Sequence, residues 1–103
     1  MKTTPPKRLS NEAKQLWKEI VEEFDVGDPA GLLLLSTALE AFDEMRTAQA
    51  ILAKDGPIII DARGGKKQHP VTLILRDSRN LMLRSLKALN LDISPDSPLK
   101  GGH

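Results

Sequence analysis

The side chains best equipped for chemistry in this chain are bases that recur in short clusters: Lys7 and Arg8; Lys14 and Lys18; Arg63, Lys66 and Lys67; and Arg76, Arg79, Arg84 and Lys87. Ammonium and guanidinium groups in such clusters suit a polyanion, whose phosphates they neutralise with release of bound counterions. Lys14 and Lys18, four residues apart, share a helix face. Arg76, Arg79, Arg84 and Lys87 gather on one side of a helical stretch and make the sharpest basic face in the chain. Arg63, Lys66 and Lys67 flank Gly64 and Gly65, which would let backbone amides approach a phosphate. Their spacing is not that of a P-loop, so nucleotide hydrolysis is not indicated.

Catalytic groups are scarce. Glu40, Asp43 and Glu44 share one helix face and could bind a divalent cation, but no second set of acidic ligands accompanies them. A solvated or subunit-facing acidic surface is the expectation for these three. His69 immediately precedes the helix opened by Pro70, where an imidazole can cap free N–H groups or fix the loop. The chain has no cysteine, which removes disulfides and thiolate metal sites, and its two histidines are too far apart in sequence to suggest a ligand pair. No enzymatic activity, metal or cofactor is therefore expected.

The net charge of +1 conceals a block pattern. In residues 1–18 five bases oppose only Glu12; in 19–61 ten acids oppose Arg46 and Lys54; in 62–103 eight bases oppose three aspartates. The chain is basic, then acidic, then basic, which suits basic ends that meet phosphate and an acidic middle that meets the basic end of a neighbouring copy. No apolar segment approaches the ~20 uncharged residues of a membrane span, and residues 1–10 lack the apolar core of a signal peptide. A soluble intracellular protein with no membrane association is expected.

The elements that must position these groups are legible from caps and periodicity. Residues 1–9, with Pro5-Pro6 ahead of Lys7-Arg8, read as a flexible basic arm. Ser10 caps a first helix running to about Phe24, whose stripe of Leu16, Trp17, Ile20, Val21 and Phe24 is apolar; Trp17 is its core anchor. Gly27 is suited to the left-handed backbone that closes the helix end. A long helix then runs from Asp28-Pro29 to Asp55, stopped by Gly56-Pro57. Leu32, Leu34, Leu35, Ala38, Leu39, Phe42, Met45 and Leu52 share one broad arc of it, while Leu33 and Ile51 sit on the polar side, available to a second helix or subunit. At ~1.5 Å per residue this helix would be roughly 40 Å long, too long for a compact domain whose radius of gyration is about 13 Å.

Residues 57–69 form either an ordered loop or a short β-hairpin, since Ile58-Ile59-Ile60 has strand character and Asp61 to Gly65 has turn chemistry. From Pro70 to about Asn90 a last helix places Val71, Ile74, Leu75, Ser78, Leu81, Met82, Ser85, Leu86 and Leu89 on its core face. Leu73 and Leu83 lie among the bases instead and mark a contact surface. Residues 92–103, rich in Pro, Ser and Gly, read as a flexible tail. The expected architecture is all-α: an N-terminal helix, then a long central and a C-terminal helix paired as an antiparallel hairpin, with residues 10–91 as the oligomerisation and DNA-binding core.

The succession of Trp17, Asp28-Pro29, Gly56, His69-Pro70, Arg76 and Leu89-Asn90-Leu91, carried by "LSNEAKQLWKEIVEEF", "DPAGLLLLSTALEAFDEMRTAQAILAKDG" and "HPVTLILRDSRNLMLRSLKALNL", resembles the small terminase subunits of tailed bacteriophages. Asn90 departs from the glycine common there. The resemblance implies a non-catalytic component of the genome-packaging motor, acting in the cytoplasm of the infected bacterial host. Such subunits form homo-oligomeric rings, bind double-stranded viral DNA and regulate the large terminase subunit, which carries the ATPase and nuclease. On that reading the base clusters contact DNA, while Leu33, Glu40, Asp43, Glu44, Ile51, Leu73 and Leu83 face neighbouring subunits. The Arg76, Arg79, Arg84 and Lys87 set has an alternative role, pairing between subunits with Glu40, Asp43 and Glu44. A competing reading is a small dimeric helix-turn-helix regulator, although four leucines follow Gly31 where a recognition helix needs base-reading side chains.

Overall fold

A computed structural model describes residues 3–89, which contain α1 (Asn11–Phe24), α2 (Pro29–Asp55), β1 (Ile58–Ile60), β2 (Lys66–Gln68) and α3 (Val71–Ala88) in that order. The expected tail at 92–103, and the last two residues assigned to the core, lie outside the described residues. The described part is mostly helical, and the hairpin at 58–68 resolves the choice between loop and strand.

Local capping sets the helix bounds. Ser10 Oγ accepts the Ala13 N–H at 3.0 Å, and Asp28 Oδ2 accepts the Gly31 N–H at 2.9 Å, with Pro29 at the first helical position. Each cap satisfies one of the donors that a helix start leaves without an intrahelical partner. At the far end of α2, Gly56 takes a φ of 83° and donates its N–H to the Leu52 carbonyl at 2.7 Å before Pro57 ends the run. Pro70 has no side chain with which to cap α3. His69 does this instead: its Nδ1 accepts the Val71 N–H at 3.1 Å, and its Nε2 lies 3.0 Å from Asp55 Oδ2. With Nδ1 accepting, the ring proton sits on Nε2 and is donated to Asp55, so one imidazole both caps α3 and ties it to the end of α2.

One expectation for the α1–α2 turn fails. The left-handed residue is Asp25, at φ 53° and ψ 44°, and not Gly27. Reversing at Asp25 carries Val26 directly inward, where it is buried and its N–H bonds the Val21 carbonyl at 3.2 Å. Aspartate is among the few non-glycine residues that tolerate this region.

A single apolar cluster joins the helices. Leu9, Ala13 and Trp17 meet Leu35, Leu39, Phe42 and Met45 of α2, and Leu75, Met82, Leu86 and Leu89 pack against the same cluster from the α3 side. Ala38, Ala41 and Ala48 of α2, with Ser78 and Ser85 of α3, are small and buried, which suits close approach of two helices. Two readings need revision here. Leu9 is only 4% exposed and its N–H bonds the Pro6 carbonyl, so the arm assigned to 1–9 joins the core at its last residue. Ile74 and Leu81, assigned to the core face of α3, are 44% and 39% exposed. They sit at the edge of the buried stripe, where helical periodicity gives direction but no depth.

β1 and β2 pair antiparallel, with Ile58 opposite Gln68, Ile59 opposite Lys67 and Ile60 opposite Lys66. His69 N–H to the Pro57 carbonyl, at 2.7 Å, closes the base of the hairpin. The molecule is elongated, with a Cα radius of gyration of 16.7 Å and extents of 57 × 33 × 20 Å, against the ~13 Å radius of a compact domain of similar length.

Candidate nucleic-acid interface

The hairpin presents its bases through side chains alone. Asp61 Oδ1 accepts the N–H groups of Arg63 at 2.9 Å and Gly65 at 2.8 Å, while the Asp61 carbonyl takes the Gly64 N–H at 3.0 Å. Every amide that the glycines were expected to offer a phosphate is thus already occupied, and a carboxylate sits where the anion would. The turn is rigidified by that carboxylate, and Gly64 supplies the positive φ, 82°, that the reversal requires. Arg63, Lys66 and Lys67 are all exposed, and none is within ion-pair distance of a carboxylate among the described residues.

On α1, Lys18 is exposed and Lys14 half-buried. Lys18 borders an open depression of about 610 Å³ that also includes Trp17, Glu22 and Asp25, so acids temper the potential there. Lys7 is exposed, whereas Arg8 ion-pairs with Glu40 of α2. On α3, Arg76, Arg79, Arg84 and Lys87 are all exposed, and Arg76 Nε lies 3.6 Å from Asp77 Oδ1. Leu73 and Leu83 are 50% and 41% exposed beside them, and Leu33 on α2 is 69% exposed, with Ile51 half-buried.

The acidic face of α2 is largely engaged within the chain. Glu40 pairs with Arg8. Asp43 Oδ2 accepts the Ser10 N–H at 2.8 Å and its Oδ1 accepts the Ser10 hydroxyl. Glu44 Oε1 accepts the buried Ser78 hydroxyl at 2.8 Å. Among the described residues, no group of three or more His, Asp or Glu side chains is placed to hold a metal ion, and no helix is long and apolar enough to cross a membrane.

A family model for the phage terminase small subunit matches residues 13–102. The chain belongs to that family. No curated protein and no solved structure matches it. Membership in the terminase small-subunit family gives the chain a role in phage packaging and implies partnership with the large terminase subunit and viral DNA. The family is generally the non-catalytic component.

For this terminase small subunit, residue spacing did not single out Arg46. Its guanidinium grips Glu12 of α1 through Nε at 3.2 Å and Nη2 at 2.9 Å, reaches Gln49 at 3.0 Å, and lies 5.1 Å above the Phe42 ring. Arg46 and Arg8 thus both spend their charge holding the N-terminal segment to α2. A partner 34 residues away leaves no local signal, and Glu12 lies outside the acidic block that surrounds Arg46 in sequence.

Proposed function

We propose that this chain is the DNA-recognition subunit of the packaging machine: it assembles as a homo-oligomeric ring, binds double-stranded viral DNA and regulates the large terminase subunit. In this reading α3 returns along α2 as an antiparallel hairpin, and that helical pair forms the stave of the ring. The observation that carries the DNA assignment is the hairpin. It projects Arg63, Lys66 and Lys67 into solvent on a turn stiffened by Asp61, free of carboxylate partners among the described residues. A closed ring multiplies that small basic patch by the number of subunits, which turns three weak phosphate contacts into an avid, sequence-tolerant grip. Lys7, Lys14 and Lys18 form a second, weaker contact zone.

The test is DNA affinity measured across a salt series. Lys66→Glu with Lys67→Glu should weaken binding and reduce the salt slope by ~0.9 for each lost phosphate contact per subunit engaged, with the oligomer mass unchanged. Unaltered affinity in the double variant would remove the hairpin from the interface. A dimeric regulator lacks its reading helix: Leu32 and Leu35 in the first turns of α2 pack toward the core, and the leucine exposed there is Leu33, at 69%, where base-reading side chains are needed.

A further inference from the structure

The helix α3 carries two stripes with the same spacing. Ile74, Asp77 and Leu81 follow an i, i+3, i+7 pattern, and Arg76, Arg79 and Leu83 repeat it two residues later. A shift of two residues is a rotation of about 200° on a helix, so the stripes occupy nearly opposite flanks. The first lines an open groove of about 270 Å³ between α2 and α3, whose remaining lining is Ser78 of the same helix and Glu44 of α2. Its acids are under-used: Glu44 has only the Ser78 hydroxyl, and Asp77 only the solvent-exposed 3.6 Å approach of Arg76. The second stripe is basic around an exposed leucine, and Lys87 extends it by one turn. Arg79 and Lys87 have no carboxylate within ion-pair distance among the described residues.

We infer that the groove formed by Glu44, Ile74, Asp77 and Leu81 receives the basic stripe Arg76, Arg79, Leu83 and Lys87 of a second copy of this chain. The inference rests on the ring reading above and assigns the surfaces that build it. Charge decides the mode of contact. A twofold arrangement placing like stripe on like would set acid against acid or base against base, whereas head-to-tail docking pairs each stripe with its complement. Because the two flanks point in opposite directions, every docked subunit retains one free groove and one free stripe, and such a heterologous contact propagates until rotation closes it. Ile74, Leu81 and the incoming Leu83 supply an apolar centre, with the charged pairs as its rim. A phosphate backbone would satisfy the arginines but leave Leu83 and the groove uncovered. The α3 bases therefore serve assembly, and DNA contact falls to the hairpin and the N-terminal lysines.

Two charge reversals test this, with light scattering for mass, circular dichroism for helix content and DNA titration alongside. The wild-type chain should give a discrete oligomer well above its 11.3 kDa monomer. Asp77→Lys and Arg79→Glu should each weaken association by roughly tenfold or more, since each sets like charges across the contact. An equimolar mixture of the two should reassociate, because alternating subunits meet through one native junction and one charge-swapped junction. If both variants keep the wild-type mass, the interface is wrong while the ring reading stands; a monomeric wild type removes both. A mixture that stays dissociated overturns head-to-tail docking. Loss of DNA binding by Arg79→Glu at unchanged mass returns the stripe to the DNA surface and overturns the assignment. Should either reversal lose helix content, Asp77→Ala and Arg79→Ala replace them, with a smaller loss of mass expected and full retention of mass overturning the interface.

Discussion

Asp43 carries more structural responsibility than its place on a solvated helix face suggests. Its two oxygens take the backbone N–H and the hydroxyl of Ser10, while the same hydroxyl accepts the Ala13 N–H. One carboxylate thus orients the residue that starts α1 and fixes that start to α2. Asp43→Ala removes two charge-assisted hydrogen bonds, but the freed Ser10 groups are exposed and regain water. The expected cost is therefore about 1–2 kcal/mol in urea unfolding, and Asp43→Asn should recover part of it. An unchanged midpoint would mean that the apolar contacts of Leu9, Ala13 and Trp17 and the Arg46–Glu12 pair hold α1 in place without it. The Arg46–Glu12 pair is half-exposed on both sides, so a double-mutant cycle should give it less than about 1 kcal/mol despite its two-point geometry.

Among the elements, the start of α2 shows how a cap can override propensity. Gly31 lies within a helix, where alanine is normally better by about 1 kcal/mol. A Cβ there would come within 2.7 Å of Asp28 Oδ1 and 3.2 Å of Val26 Cγ1. The capping carboxylate would have to leave its bond to the Gly31 N–H, forfeiting a cap worth ~1 kcal/mol. Gly31→Ala should consequently yield no net stabilisation in thermal unfolding, and a clear gain in Tm would show that the cap relocates freely. At the other side of the turn, Asp25 holds a left-handed conformation that glycine adopts without penalty. Asp25→Gly should raise stability by up to about 1 kcal/mol, measurable in the same experiment, and a loss would show that the aspartate side chain contributes to the turn.

At the scale of the whole molecule, the elongated shape and a thin core belong together. Leu35 is the largest side chain that is fully buried, while Leu33, Ile58, Ile60, Leu73, Ile74, Leu81 and Leu83 are all substantially exposed. If copies associate as proposed, so much apolar surface outside a small core gives association a stabilising role, and stability then depends on concentration. The melting temperature of the wild-type protein should rise by several degrees as concentration increases, and the Asp77→Lys variant should lose most of that dependence. A Tm constant over a wide concentration range would show that the single chain is stable without its neighbours.

What the amino-acid sequence determined by itself is what acts within a turn or two of chain. Ser10, Asp28-Pro29 and Gly56-Pro57 set the limits of α1 and α2, because a cap bonds amides three residues away and a proline restricts only its neighbours. His69 before Pro70 was legible as a cap for the same reason, and Trp17 as a core residue because its stripe repeats at the helical period. Tertiary structure decided everything that depends on which helix faces which. Arg8 with Glu40, Glu12 with Arg46, Ser10 with Asp43 and Glu44 with Ser78 each bridge more than 30 residues. These partners make internal ties of Arg8, expected to contact DNA, and of Glu40 and Asp43, expected to face neighbours, and leave the hairpin bases open. The hairpin was half legible: Ile58-Ile59-Ile60 and the turn residues Asp61 to Gly65 pointed to it, but three-residue strands have too little periodicity to choose it over a loop, and the choice rests on His69 meeting Pro57 across its base. Periodicity named the side of α3 on which Ile74 and Leu81 lie. Only the packing of α3 against α2 fixed their depth, at the lip of a groove and not in the core.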